Sequence, residues 1–286
     1  MSFQQLVLFT ADANGLERSL RLVQALLQLI VSVPVLLAAA APWLLPVAVD
    51  KAGATQPVAI EGAAVLLAGA RDRVNLVRRV LRMFMFVGCF DRAHRLYLSL
   101  FSAPELTPGQ TAQAGRRRQY DVFFDALAAT FAGIYLLLET AVLVDALGVP
   151  GLAVWGPARA EWLDIEGQRY WFLSLSCSVL VGMLRMASVA DDLPLPPAAE
   201  PTEKEAVDAE QDKRARQAVQ EARRNRLVAL GRRVVADAVD VLLPGAVVGW
   251  TPLAPATVGW VMSFTTLLTG YDVWLRCGQE AAAASM

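Results

Sequence analysis

The binding of anions by arginine is the chemistry most available to this chain, because five arginines fall within residues 71–82. On an α-helix, four of them share a polar arc about 120° wide, and Arg73 alone breaks the pattern. Guanidinium groups on such an arc bind headgroup phosphates, while an apolar arc inserts among acyl chains. A bundle helix with solvated arginines fits the same pattern. The residues predicted to bind membrane are Arg71, Arg78, Arg79 and Arg82 on the polar arc and Val74, Val77, Leu81 and Phe84 on the apolar arc.

The chain contains few residues of the types that catalyse reactions or bind metal ions. His94 is the only histidine, and the three cysteines, Cys89, Cys177 and Cys277, lie far apart in apolar stretches. That set does not supply a zinc site or a Ser-His-Asp triad, and the cysteines are interpreted as reduced packing residues. A net charge of −1 argues against a nucleic-acid partner. We therefore expect no enzyme activity and no cofactor.

The apolar content indicates a membrane protein. Hydrophobic residues make up 56% of the chain, charged residues 19%, and the mean hydropathy is +0.43. Soluble domains average roughly 45–50% apolar and about 25% charged residues. Four apolar stretches cover residues 22–49, 126–144, 170–184 and 241–271. Because a spanning helix needs about 20 apolar residues, 126–144 and the 257–275 part of the last region fit best. The fold predicted is all-α: a helical integral membrane protein with amphipathic interfacial helices.

Composition divides the chain into four regions. Residues 1–120 form an N-terminal region of amphipathic helices, with the membrane-active helix near 71–90. A capping box of Asn14 and Glu17 is expected to start its first long helix. The other three regions are a hydrophobic helical pair at 121–189, a disordered Pro-rich acidic linker at 190–204, and a charged helix followed by a hydrophobic membrane helix at 205–286.

The positive-inside rule predicts the orientation. Arginines at 116–118 precede the second apolar stretch, and residues 204–233 hold nine lysines and arginines, whereas 145–169 hold two. The two basic regions are therefore expected in the cytosol and residues 145–169 in the lumen.

Two further features lie within apolar segments. A carboxylate in a membrane is costly, so Glu139 has two interpretations. It either pairs with an arginine, with Asp121, Asp125 and Asp145 at helix ends in water, or it forms an acidic stripe with these aspartates along a solute path. Gly259 and Ser263 are small residues four apart, a spacing that lets helices approach closely. They are predicted to form an oligomer contact.

Three segments resemble the peroxisomal biogenesis factor 11 (peroxin-11) family. The N-terminal run FTADANGLERSLRLVQALLQL is similar to the opening of that family. Residues 73–100 are similar to its amphipathic membrane-remodelling helix, and LAPATVGWVMSFTTLLTGYDVW resembles its C-terminal glycine-containing hydrophobic helix.

The resemblance implies a protein of the peroxisomal membrane that elongates the membrane and promotes proliferation and division of the organelle. Implied partners are an anionic phospholipid membrane, further copies of the chain, and a dynamin-related GTPase with its membrane adaptor. A pore or carrier for small metabolites is the alternative function implied for the same family.

Overall fold

A computed structural model describes residues 3–44, 56–101, 112–191 and 206–284, and within these ranges it is helical, without strands. The long apolar and amphipathic segments account for most of the helices. In chain order the helices are α1 Phe3–Ala11, α2 Ala13–Ser32, α3 Pro34–Leu44, α4 Gln56–Leu81, α5 Met85–Phe101, α6 Ala112–Ala141, α7 Leu143–Ala146, α8 Pro157–Asp191, α9 Ala206–Asp240, α10 Leu242–Val248 and α11 Pro255–Ala284.

Six long helices follow one another around a closed ring. Helix α4 packs on α2, α2 on α11, α11 on α9, α9 on α8, α8 on α6, and α6 returns to α4. Helix α5 packs on α6, α10 packs on α8, and α1 and α3 pack on their neighbours in the ring. Side chains from all six helices can therefore meet in the interior.

Two described helices are long and apolar enough to span a membrane, Arg116–Ala141 of α6 and Pro157–Val189 of α8. The first contains most of the predicted stretch 126–144. The bent pair α2 and α3 would make a third span, with a bend of 105°. The bend falls at Val33, which has extended backbone angles because it precedes Pro34.

Helix α11, which contains the predicted stretch 257–275, is not among the described helices that meet this length and hydropathy criterion, and a span there stays a prediction. Three hydroxyl side chains, Ser263, Thr265 and Thr266, lower its hydropathy and are buried against the rest of the chain. The hydroxyls of Thr265 and Thr266 donate hydrogen bonds back to carbonyls of their own helix. Helix α11 therefore packs against the rest of the ring through this hydroxyl-bearing face.

The start of α2 differs from the predicted capping box. The Asp12 carboxylate caps the helix by accepting hydrogen bonds from the amides of Asn14 and Gly15, at 2.7 and 3.3 Å. Glu17 is thereby left free to point into the protein, where it is buried.

The amphipathic segment bends earlier than the sequence suggests. Helix α4 ends at Leu81, a turn covers residues 82–84, and α5 begins at Met85. The amphipathic pattern of the sequence slips at residues 86–90, which makes Gly88 a plausible break, but Gly88 lies within α5. The turn places Phe84 at a corner of the molecule, where its side chain is 71% exposed.

Candidate membrane-binding site and interior charge network

The polar faces of α2 and α4 face each other. The Arg71 guanidinium donates to Gln28 Oε1 at 2.8 Å. Seven residues further along α4, Arg78 donates to Glu17 Oε1 at 2.6 Å and also to Gln24. Contacts that move forward along α4 and backward along α2 show that the two helices run antiparallel. The polar arc of α4 is thus matched by a polar arc of α2 inside the protein.

The remaining two arginines of the arc reach α6 and α8. Arg82 donates to Glu139 Oε1 at 2.7 Å and lies 3.8 Å from Glu17 Oε1. Arg79 pairs with Asp164 of α8 at 2.9 Å and lies 3.8 Å from Glu139. The Tyr135 hydroxyl donates to the same Glu139 oxygen at 3.0 Å. Glu139 is therefore paired with arginine, as one of the two sequence interpretations expected.

The structure thus places Arg71, Arg78, Arg79 and Arg82 against partners within the chain. Burial lowers the pKa of Arg78, although the neighbouring Glu17 carboxylate opposes that shift. Binding of these arginines to lipid phosphate stays a prediction, and it would require them to exchange or share these partners.

The predicted apolar arc faces the opposite way. Val77 is 49% exposed, Leu81 40% and Phe84 71%, while Val74 is half-buried. Val80 and Val87 extend the exposed apolar surface on either side of the turn. We call these five exposed residues, Val77, Val80, Leu81, Phe84 and Val87, the outer apolar surface of α4 and α5. The helix therefore presents its apolar side outward and its charged side inward, the reverse of a helix in a soluble bundle.

A second charged cluster lies one turn further along α2. Arg21 donates to Asp240 Oδ1 of α9 at 2.6 Å and to the Thr265 hydroxyl of α11 at 3.3 Å, and all three side chains are buried. Asp237, one turn before Asp240, has an arginine neighbour, Arg233, at 3.9 Å. Burial raises the pKa of Asp237 to about 6, and the nearby Asp240 carboxylate adds to that shift.

This raised pKa predicts that Asp237→Asn stabilises the protein at neutral pH. In the folded state the Asp237 carboxyl keeps its proton up to a higher pH than in the unfolded chain. The free energy of unfolding therefore falls as the pH rises from about 4 to 6, and it stays lower above that range. We expect a gain of about 3 kcal/mol for the variant at neutral pH, and no gain below about pH 4. Unfolding followed by circular dichroism across this pH range measures it, and a gain independent of pH would contradict it.

A third cluster ties α5, α6 and α8 together. The Asp125 carboxylate accepts from Arg92 of α5 and from Arg185 of α8, each at 2.8 Å. Arg185 also pairs with Asp121 at 2.9 Å. Asp121 and Asp125 are therefore engaged in ion pairs between helices, and the expectation that they sit at helix ends in water is wrong.

The face of α11 that carries Gly259 and Ser263 packs against α2 of the same chain. A Cβ added at Gly259 would lie 2.8 Å from Leu29 Cγ and 3.2 Å from the Leu29 amide nitrogen. Ser263 is buried, and its hydroxyl donates to the Gly259 carbonyl at 2.9 Å. An oligomer contact at Gly259 and Ser263 stays a prediction, and a second copy would have to displace α2 to reach this face.

Gly259→Leu is accordingly expected to lower the stability of the single chain by about 1–3 kcal/mol, as overpacking of a close helix contact does. Gly270→Ala in the same helix is the matched control, because its nearest neighbour, Arg18 Cβ, lies at 3.9 Å. Thermal unfolding and crosslinking of both variants test this. Loss of crosslinked oligomers with unchanged stability would instead assign the face to a second copy.

Sequence reasoning missed the partners of the arginines. Asp164 and Asp240 were not identified as site residues, and Glu17 was assigned to a helix cap. The available signal was the match between two polar arcs, Glu17, Arg21, Gln24 and Gln28 on α2 and the arginines on α4, in a chain rich in apolar residues.

Apolar surfaces facing outward, charged side chains paired inside and helices of membrane-spanning length define a helical membrane protein. The family model for peroxisomal biogenesis factor 11 (PEX11) matches residues 54–274, most of the chain, and the chain belongs to that family. It is a peroxisomal membrane protein involved in peroxisome proliferation. No curated protein and no solved structure was found to match it.

Proposed function

We propose that this protein remodels and elongates the peroxisomal membrane, with the outer apolar surface of α4 and α5 inserted into one leaflet. The observation that carries the proposal is the exposed corner at Phe84, flanked by Leu81 and Val87. Shallow insertion of apolar side chains on one leaflet expands that leaflet relative to the other, and this asymmetry favours curvature. The interior ion pairs would fix the helix in the orientation that keeps this surface outward.

Anionic phospholipid, further copies of the chain, and a dynamin-related GTPase with its adaptor complete the proposal as partners. The outer apolar surface of α4 and α5 supports the first of these most directly, since its side chains are exposed and available to acyl chains. Copies of the chain arranged along a tubule would add their individual insertions, and the GTPase would then cut the elongated membrane.

A pore or carrier for small metabolites is a second candidate, and one observation favours it. Charged side chains form a nearly continuous path through the ring, from Asp164 through Arg79, Glu139 and Arg82 to Glu17. Arg79 Nε and Arg82 Nε are buried and have no hydrogen-bond partner among the described residues. An incompletely satisfied polar interior at membrane depth is a feature of solute and proton pathways.

Reconstitution of the full chain into sealed anionic vesicles separates the two functions. Membrane remodelling predicts elongated vesicles in electron micrographs with their interior still sealed to an entrapped dye. A pore predicts dye release from vesicles that remain round, reduced by Glu139→Gln. Round and sealed vesicles at every protein density would contradict both proposals.

A further inference from the structure

A cavity lies beside α4 at the point where the chain turns after α7. Its volume is about 510 Å³, and residues from the middle of α4 and from the turn at 146–148 line it. The lining residues that matter here are Gly69, Arg73, Asn75, Arg79, Leu147 and Gly148. The polar side chains come from α4, and the turn supplies an apolar wall.

The charge of this cavity is positive. Arg73, the arginine that breaks the amphipathic pattern, lines it, and within the described part of the chain the Arg73 and Asn75 side chains have no hydrogen-bond or ion-pair partner. Asp72 also lines the cavity, but its carboxylate is paired with Arg71 at 2.7 Å. Arg79 shares its charge with Asp164 at 2.9 Å. One full positive charge and an amide side chain are thus left for a ligand.

Gly69 lines the same cavity and is exposed. It lies inside α4, where glycine costs helix stability relative to alanine. No atom lies within 4 Å of the position that its Cβ would occupy, so packing within the chain does not require a glycine there. A molecule bound in the cavity would use the space that this glycine leaves open.

The position of the cavity indicates what that molecule is. The turn at 146–148 follows closely on Arg116–Ala141, the first candidate span, so the cavity lies at a span end, where headgroups meet water. A guanidinium with an amide beside it matches a phosphate group, and basic pockets between helices at this depth bind lipid headgroups.

We propose that this cavity binds one phosphate group through Arg73, Arg79 and Asn75. The group belongs either to the headgroup of an anionic phospholipid or to a free phosphate compound in the adjoining water. The site does not depend on membrane remodelling, since a lipid or metabolite can occupy it in a protein that leaves vesicles round.

The test uses the full chain in phosphatidylcholine nanodiscs with two sources of phosphate. In one arm, binding of radiolabelled inorganic phosphate is measured. In the other, the discs contain a minor fraction of phosphatidic acid, and native mass spectrometry counts the phosphatidic acid retained per chain. We expect one retained phosphate group in at least one arm, and the arm that shows it identifies the source.

Two variants are expected to lose that group. Arg73→Gln removes the unpaired charge and should weaken binding at least about tenfold, the effect of losing a hydrogen bond to a charged group. Gly69→Leu fills the cavity without changing the charge and should abolish binding. Arg95→Gln is the matched control, because Arg95 is an exposed arginine of α5 paired with Asp91 in its own helix.

Circular dichroism must show equal helix content in all four proteins. The proposal is overturned if neither arm retains phosphate, or if Arg73→Gln and Gly69→Leu bind as wild type. Loss with Arg73→Gln alone would place the phosphate outside the cavity and overturn the assignment as well.

Discussion

Charge reversal of the arginine arc, Arg78→Glu, Arg79→Glu and Arg82→Glu together, is expected to unfold the helix ring at every salt concentration. These side chains pair with Glu17, Glu139 and Asp164. Breaking one buried ion pair costs about 3–5 kcal/mol. The triple variant also places carboxylates against carboxylates, so its loss exceeds the whole stability of most domains, about 5–15 kcal/mol. Helix content and elution from size exclusion in detergent, at low and high salt, measure the result.

Two single variants test whether the buried ion pairs are the reason for this unfolding. Glu17→Ala leaves Arg78 buried without its carboxylate and should destabilise by about 3–5 kcal/mol, whereas Glu61→Ala on the exposed side of α4 should have little effect. If the arginines served only to bind phosphate, the triple variant would stay folded. Its membrane affinity would then fall most at low salt, where charges are least screened. That outcome would contradict the interior network.

Replacing Leu81 and Phe84 with aspartate is expected to abolish elongation of anionic vesicles while the fold is retained. Both side chains are exposed, 40% and 71%, so the substitutions bury no charge inside the ring. In the bilayer, each aspartate costs up to about 2.5–3.5 kcal/mol, and the apolar contact of each original side chain is lost as well. The loss should persist at high salt, because apolar burial is not screened by ions. Electron microscopy of vesicles gives the readout.

Val228→Asp is the matched control for this pair. Val228 is 54% exposed, but it lies on the charged helix α9, away from the outer apolar surface. It should leave elongation unchanged. Equal loss of elongation in the control, or unfolding of the Leu81→Asp/Phe84→Asp protein, would contradict the assignment of this surface.

The sequence predicts the helices and their faces better than it predicts their partners. The spacing of arginine and apolar residues at 71–82 correctly indicates an amphipathic helix, since one-dimensional periodicity determines which residues share a face. It does not reveal which way the face points. Glu17 and Arg78 are 61 residues apart, and only the antiparallel packing of α2 on α4 brings them within 2.6 Å.

The end of helix α4 and the packing at Gly259 are also determined by contacts between distant helices. Gly88 is the residue expected to end the amphipathic segment, yet the turn falls at Arg82, where the side chain engages Glu139 of a distant helix. Gly259 similarly suggests a contact with a second copy, whereas α2 of the same chain fills the space. In both cases a tertiary contact determines what the residue does, and a local pattern contains no information about it.

Contact of residue 84 with lipid tests the central claim most directly. In a chain with Cys89, Cys177 and Cys277 replaced by alanine, Phe84→Cys is labelled with a fluorophore and reconstituted with brominated lipids, which quench by contact. Val228→Cys, labelled in the same way, is the reference position. The outer apolar surface predicts strong quenching at position 84 and little at 228. Equal, weak quenching at both positions would show that this corner of the protein faces water, and would contradict membrane insertion by α4 and α5.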